Sequence, residues 1–556
     1  MSTFAEIILE RAEDDHPGLR AGDRTWTWAE VTRECAERAA LLRELGVAGR
    51  QTHVGVLLEN VPDYVFWIGA AALSGDVIVG INPTRRGEEL ARDIRHTDCA
   101  VLITERRMNG LLGGVDHGVP AEAVLDIDSE HYAALLAGHR SAPPPAELPP
   151  ADAILLLLFS SGSTGAPKAV ICTQGRFGFL ADSLTARTEL TRASVTYLCM
   201  PLFHGNSAMM NLAPAWKAGA TVCLARKFSA SGFAEDVHRY GVTFVNYVGR
   251  ALSYVLAQPE GPRDAESTLE LALGTEASVP DITRFAARFG CRVSEGYGLS
   301  EGVLRINRTP ESPPDALGLP VAGADVRVLN EETGAECPRA EIDEYGRLRN
   351  AEAAVGQIVA VGKAAAFEGY YDNPGAHAER VRGEDFWTGD LAYRDAEGYF
   401  YFAGRSSDWL RVDSENFSAA PVERILQRWN RIAEAFVYAV PDPRTGDQVM
   451  CALRLREGAE FVPGEFADFL DQQPDLGTKW RPRFVRIVAE VPTTGSNKVA
   501  KAVLRKTAWN TTDPVYFSAG SSRTFEPFDS GNRDRIEAEF GRYGRGALLP
   551  SGSERR

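Results

Sequence analysis

Six consecutive apolar residues, Ile154 to Phe159, run directly into Ser160-Ser161-Gly162-Ser163-Thr164-Gly165-Ala166-Pro167-Lys168, and this junction constrains the fold more than any other part of the chain. An uninterrupted apolar run of that length reads as a strand buried on both faces, the kind found in parallel sheets covered by helices. The nine residues after it read as a loop of small and hydroxyl-bearing residues closed by a lysine. Its glycines let backbone amides approach and point inward, its hydroxyls donate hydrogen bonds and its lysine adds charge, so the loop suits a polyphosphate. It is not the common nucleotide loop, which needs Gly-Lys followed by Ser or Thr: here Pro167 precedes Lys168 and Ala169 follows it.

A chain of 556 residues, 44% of them hydrophobic, exceeds what one small core can organise, so two or more domains are expected. Helical and strand patterns alternate through the N-terminal third. Thr27-Trp28-Ala29-Glu30-Val31 opens an amphipathic segment and Thr52 to Leu58 reads as a strand, and such alternation favours a parallel sheet layered with helices. Further strand-like runs occur at Thr221–Leu224 and Val242–Val245. The proline-rich stretch from Ser141 to Pro150 reads as a crossover between subdomains. After Gly404-Arg405 comes a shorter α/β region with a helical pattern from Pro421 to Asn430. The last forty or so residues, rich in Ser, Gly, Arg and Asp, read as a tail that loses order toward its end.

A formal net charge of −16 argues against nucleic acid or an acidic membrane surface as the main partner. No apolar stretch approaches the roughly 20 residues that span a bilayer, and the start, MSTFAEIILERAEDD, is acidic rather than signal-like. The eight cysteines (Cys35, Cys99, Cys172, Cys199, Cys223, Cys291, Cys337, Cys451) form no Cys-x-x-Cys pair. They read as reduced core thiols of a cytoplasmic protein without a membrane span.

Several motifs recur in order after the loop: Pro201-Leu202-Phe203-His204-Gly205-Asn206, Gly274-Thr275-Glu276-Ala277, Gly296-Tyr297-Gly298-Leu299-Ser300-Glu301, Phe386-Trp387-Thr388-Gly389-Asp390 with Arg405 fifteen residues later, and Pro492-Thr493-Thr494-Gly495-Ser496-Asn497-Lys498-Val499. Together with the loop they resemble the AMP-forming adenylating enzymes, which comprise acyl-CoA synthetases, luciferases and peptide-synthetase adenylation domains. Asn246 to Tyr254 looks like the substrate-pocket helix of the fatty-acid-transport-protein-like acyl-CoA synthetases, and Ser414-Glu415-Asn416-Phe417-Ser418 resembles a second motif of that branch. The resemblance extends from the Thr25-Trp26-Thr27-Trp28 opening to about Lys506.

The resemblance implies an α/β fold: a large N-terminal domain of layered sheets and helices (1–406), a small mobile α+β C-terminal domain (407–515) hinged near Ser407, and the tail (516–556). It implies ATP, Mg²⁺ and coenzyme A as cofactor and cosubstrates, and it allows a homodimer. A carboxylate resists attack because its carbonyl is electron-rich and oxide is a poor leaving group; displacing pyrophosphate from ATP converts the acid to an acyl-adenylate. The enzyme must hold polyphosphate, metal, nucleoside and acyl chain in line.

By the same resemblance Ser160, Ser161, Gly162, Ser163, Thr164, Gly165 and Lys168 wrap the phosphates, and Gly274, Thr275, Glu276, Glu295, Gly296 and Gly298 flank the adenine on which Tyr297 stacks. Ser300 contacts the α-phosphate, and Glu301 with Thr164 holds Mg²⁺, a hard cation suited to oxygen ligands. Asp390 takes the ribose hydroxyls, a task needing two acceptor oxygens; Phe402 and Arg405 complete that side. Lys498 bridges the attacking carboxylate and the α-phosphate as charge develops. His204, Asn206, Tyr247, Val248 and Gly249 line the acyl site, with His204 as a gate rather than a base, because the substrate is already a carboxylate. Ser414, Glu415 and Asn416 face coenzyme A. Free amino-acid activators place an acidic residue near the gate; the run His-Gly-Asn-Ser has none, which argues against an amino-acid substrate.

Two places depart from the family pattern. Asn497 stands where glycine is usual, and Asp413-Ser414 replaces a residue-Gly pair in the loop that admits coenzyme A, adding bulk and negative charge beside an anionic cosubstrate. The expected function is therefore an acid–CoA ligase acting on a fatty, bulky alicyclic (steroid- or terpenoid-like) or aryl acid. Two alternatives stay open: an enzyme confined to one half-reaction, and a non-catalytic acyl- or nucleotide-binding relative.

Overall fold

The computed structural model describes the chain except residues 1, 48, 160–167, 249–250, 278, 344–347, 406–408, 413–414, 444–446, 474–475, 478, 494–498, 519–522, 544 and 551–556. The chain divides into one unit containing Met1–Arg305 and Ala365–Val381 and another containing Ile306–Ala364, Arg382–Thr494 and Val499–Arg556.

In the first unit the strands are β1 (Pro17–Ala21), β2 (Arg24–Thr27), β3 (His53–Leu57), β4 (Val77–Gly80), β5 (Val101–Thr104), β6 (Val124–Asp126), β7 (Ile154–Phe159), β8 (Ala169–Thr173), β9 (Val195–Leu198), β10 (Thr221–Leu224), β11 (Phe244–Val248), β12 (Leu271–Thr275) and β13 (Arg292–Gly298). One sheet has the order β6-β5-β3-β4-β7-β8, parallel except for β8. The other runs β13-β12-β11-β9-β10-β1-β2, parallel except for β2. This is the helix-covered parallel architecture expected from the alternating pattern, and the apolar run Ile154–Phe159 is β7 to the residue.

Helix formation follows the local chemistry. The helix Trp28–Leu45 starts in a capping box: the Glu30 amide donates to Thr27 Oγ1 at 3.2 Å and the Thr27 amide to Glu30 Oε2 at 2.8 Å. The helix Pro62–Ser74 has proline in its first turn and ends at Gly75 in the left-handed conformation. Every residue from Tyr64 to Leu73 is buried, as a helix apolar on all sides requires, and it packs along Trp28–Leu45 in the largest core. All eight cysteines are free and buried.

In the second unit, Val326–Leu329, Gly356–Ala360, Asp385–Arg394 and Phe400–Arg405 form an antiparallel sheet. Trp409–Val412 and Glu415–Ser418 make a two-stranded ribbon. Ile432–Pro441, Asp447–Leu455, Phe484–Ile487, Val515–Phe517 and Glu526–Pro527 form a five-stranded sheet, with the helix Ala419–Leu426 covering the pattern read from Pro421 onward. The segment expected as a tail that loses order toward its end is folded well into its length: it carries the helix Ser530–Arg542 and buries Phe517, Phe525, Ile536 and Phe540 in the cores of this unit. These apolar residues are too sparse in a polar background to announce a helix by composition.

Candidate active site

β7 and β8 pair antiparallel with Phe159 opposite Ala169, so the ends of the segment expected to wrap phosphate meet at one sheet edge. Residues 160–167, and with them Thr164, lie outside the described residues; Lys168 is described. Its Nζ donates to Glu379 Oε2 at 2.9 Å and lies 5.9 Å from the centre of the Tyr370 ring. The hydrogen bond from Lys168 pulls the Glu379 carboxyl below its ordinary value.

Glu301 is only 5% exposed, and the Tyr370 hydroxyl donates to its Oε1 at 2.5 Å. Burial raises the Tyr370 hydroxyl above its ordinary value, and the Glu301 charge and hydrogen bond push the same way, while the Arg380 guanidinium opposes them. The backbone before Glu301 is tied down by Arg176, whose Nη2 donates to the Ser300 carbonyl and whose Nη1 donates to the Ile171 carbonyl at 2.8 Å. Gly302 adopts φ +68°, and a Cβ there would sit 2.4 Å from Arg176 Nη2, so this turn needs glycine on both counts. Glu368 completes the brace by accepting from the Thr173 amide at 3.0 Å and the Thr173 hydroxyl at 2.6 Å. Tyr370, Glu379, Arg380, Arg176 and Glu368 escaped the sequence reading. They reach the site through β8, where the Ile171 amide donates to the Gly369 carbonyl at 3.1 Å, and only the polar-aromatic run Glu368-Gly369-Tyr370-Tyr371-Asp372 hints at them.

The expected adenine and acyl segments lie in register. Tyr247 pairs with Gly274, Val248 with Thr275, and Gly274 with Glu295 across β11, β12 and β13. A Cβ at Gly274 would sit 2.6 Å from the Tyr247 ring, so the glycine is where that ring packs. The Tyr247 hydroxyl donates to Glu295 Oε1 at 2.9 Å, and the Ala277 amide donates to the same oxygen at 2.8 Å. Glu295 therefore fixes the strand ends. Gly296, Tyr297 and Gly298 lie in β13 and Glu276 turns at φ +69°.

Asn246 to Tyr254 was expected as one helix. Instead Phe244–Val248 is strand, because it pairs in parallel with both β9 and β12, and the helix Ala251–Leu256 begins later; Gly249 lies outside the described residues. An apolar recess beside it is lined by Cys199, Met200, Phe228, Phe233, Val245, Asn246, Tyr247, Ala251, Leu252, Val255 and Phe285. The His204 ring lies 4.4 Å from the Phe203 ring, and Asn206 Oδ1 accepts from Asn246 Nδ2 at 2.6 Å. Arg187 and Arg305 face each other with no acidic partner among the described residues. Burial and then the Arg305 charge bring Arg187 down to about 10, an arrangement that favours anionic or oxygen-rich neighbours.

In the second unit, Asp390 is buried and its backbone stands opposite Arg405, with Phe402 opposite Ala392. The Thr388 hydroxyl donates to the Ile358 carbonyl at 2.9 Å and the Gly389 amide to Gln357 Oε1 at 3.0 Å, which pins the irregular stretch of strand, with Gly389 at φ +76°, that leads into Asp390. Lys498, Asn497, Asp413 and Ser414 lie outside the described residues, as does Ser407; Glu415 and Asn416 are placed only as backbone of the ribbon.

Residues 9–371 match the family model of the AMP-binding enzymes, and residues 421–498 match that of the AMP-binding enzyme C-terminal domain. The chain belongs to the AMP-binding enzymes. It is 48% identical over 552 residues, 99% of both chains, to the steroid-22-oyl-CoA synthetase of Rhodococcus jostii (strain RHA1). It is 41% identical over 516 residues, 92% of this chain and 98% of the other, to the medium/long-chain-fatty-acid–CoA ligase FadD17 of Mycobacterium marinum. The fold is that of ATP-bound MatB from Rhodopseudomonas palustris, with a TM-score of 0.79 at 20% identity over 91% of this chain and 98% of that one. The protein is an AMP-forming acid–CoA ligase of the acyl-CoA synthetase branch, for which ATP and coenzyme A are cosubstrates. Among the described residues no helix is long and apolar enough to cross a membrane.

Proposed function

We propose that this ligase activates a bulky alicyclic acid of steroid-like size, forming the acyl-adenylate and passing the acyl group to coenzyme A. The observation that carries the reading is the near full-length similarity to the Rhodococcus steroid-22-oyl-CoA synthetase. A medium- or long-chain fatty acid is the second reading, favoured by the similarity to the FadD17 ligase. In either case the loop 160–168 cradles the triphosphate, Tyr297 stacks on adenine, Asp390 and Arg405 hold the ribose, and Lys498 bridges carboxylate and α-phosphate.

Glu301 suits Mg²⁺: the Tyr370 hydroxyl donates to one of its oxygens, and the other remains as a hard donor, with Thr164 as the second residue that would hold the ion. The ion, when bound, would neutralise phosphate charge as pyrophosphate leaves. Ser414, Glu415 and Asn416 face coenzyme A after a rotation hinged near Ser407, between an N-terminal domain ending near 406 and a C-terminal domain from 407. The enzyme acts in the cytoplasm, and we place a homodimer within this proposal.

Pyrophosphate release, followed by thioester formation, on a C22 steroid carboxylate, palmitate and benzoate tests the substrate class. We expect kcat/KM for the steroid acid to exceed that for palmitate at least tenfold. A tenfold preference the other way would select the fatty-acid reading, and turnover of benzoate alone would overturn both.

A further inference from the structure

A ladder of three asparagines, two of them fully buried, ends at Asn206, a residue read as part of the acyl site. After the gate motif the chain makes a single π-helical stretch, Ala208–Leu212, that carries Asn211. Such stretches are uncommon and frequently mark functional sites. Asn211 Nδ2 donates to the Tyr197 carbonyl of β9 at 3.0 Å and to Asn246 Oδ1 of β11 at 2.8 Å. Asn246 Nδ2 donates in turn to Asn206 Oδ1 at 2.6 Å. Asn211 and Asn246 are fully buried; Asn206 is half-buried.

The ladder reads in one direction. A peptide carbonyl can only accept, so Tyr197 fixes which end of the Asn211 amide is nitrogen. Asn246 must then turn its oxygen to Asn211 and its nitrogen to Asn206. That leaves Asn206 with its oxygen held by Asn246 and its Nδ2 without a hydrogen-bond partner among the described residues. Flipping any one amide would set oxygen against oxygen or donor against donor.

The arrangement is not optimised for stability. Asn211 Oδ1 and Ser207 Oγ are buried without partners among the described residues, and an apolar wall of the same shape would avoid that cost. What the ladder secures instead is the orientation of one amide. We propose that Asn206 donates a hydrogen bond from Nδ2 to an oxygen of the acyl substrate, in an orientation set by Asn211 and Asn246. This rests on the acyl-site reading of Asn206. The acceptor is either the carboxylate itself or an oxygen substituent on the ring system.

Pyrophosphate-release kinetics on a 3-oxo C22 steroid acid and its 3-deoxo counterpart test the proposal with Asn206→Leu and Asn206→Asp, the latter keeping the shape but exchanging a donor for an anion. If the ring oxygen is the acceptor, Asn206→Leu lowers kcat/KM about tenfold for the oxo acid and leaves the deoxo acid alone. If the carboxylate is the acceptor, both acids fall alike, by roughly 100-fold, because a charged acceptor is the stronger partner. Asn206→Asp falls at least as far in either case, and KM for ATP stays unchanged in both variants. Values of kcat/KM within twofold of wild type for both acids and both variants would overturn the proposal. If wild type prefers palmitate to either steroid acid, the substrate class fails instead. The Asn206 comparison is then read on palmitate, whose only oxygens are its carboxylate.

Discussion

Two polar clusters of the first unit solve different problems with different chemistry. Around Glu301, the side chains of Arg380, Lys168 and Glu379 carry charge beside the neutral Tyr370 hydroxyl, and Glu379 stands 63% exposed. Around Asn246, three neutral amides are linked in a chain whose inner two members are fully buried. Charge suits a triphosphate, which brings charge of its own and so shifts every group near it. A neutral ladder holds direction regardless of pH and salt, which suits reading one oxygen on an otherwise apolar acid. The first cluster is thus expected to govern the nucleotide and the second the acid.

The largest predicted effect tests the charged cluster. Glu301→Gln keeps an acceptor for Tyr370 but removes the carboxylate, and pyrophosphate release should fall roughly 10²–10³-fold, with KM for the acid little changed. An equal rise in the acid KM would mean that the two clusters are one. Next, Tyr370→Phe leaves a Glu301 oxygen without its donor and should raise KM for Mg–ATP about tenfold.

The pH dependence of that second variant has a definite sign. The folded Tyr370 hydroxyl titrates above its ordinary value of 10.0. Its contribution is therefore fully present below pH 10 and is lost as pH rises from there toward the folded value. The ratio of wild type to Tyr370→Phe should stay flat between pH 7 and about 9.5 by initial rates, and a ratio that collapses below pH 9 would contradict the assignment.

Smaller again, Glu379→Gln releases Lys168 from an exposed pair. It should change KM for ATP no more than about fivefold, an effect that shrinks as salt is raised. The Asn206→Leu defect, by contrast, should be the same at low and high ionic strength. Salt dependence in the asparagine variant would break the comparison at its neutral end.

Alkaline unfolding offers a control on the fold itself. Burial raises Cys99, Cys172 and Cys291 from 9.0 to about 12. Their share of stability is intact below pH 9 and is lost as pH climbs through the folded values. The thermal midpoint should decline between pH 9 and 12, and a midpoint that rises there would contradict the buried-thiol assignment.

What the sequence disclosed followed local chemistry. Ile154–Phe159 and Thr221–Leu224 were legible to the residue because the first is wholly apolar and the second is a short run of β-branched and apolar residues, both suited to a buried strand. The motif ending in Glu301 was legible as a pattern of residue types. Its support was not: Tyr370 is 69 positions away from Glu301 in the chain, and the two meet only because β8 pairs with β7 on one side and bonds to Gly369 on the other. Asn246 stood inside a segment expected to be helical, and its pairing partners made it strand. Asn211 carried no signal at all, since a lone asparagine between apolar residues gains its meaning from Tyr197 and Asn246. The folded C-terminal segment was hidden in the same way, its buried Ile536 and Phe540 lying four positions apart in an otherwise polar helix.

The charged cluster serves the nucleotide and the neutral cluster the acid. A matrix of initial rates of pyrophosphate release, varying ATP against the preferred acid for wild type, Tyr370→Phe and Asn206→Leu, separates the two roles. Tyr370→Phe should raise KM for Mg–ATP about tenfold with the acid parameters unmoved, and Asn206→Leu should lower kcat/KM for the acid at least tenfold with KM for ATP unmoved. Both variants shifting the same parameter by similar factors would contradict that division of labour.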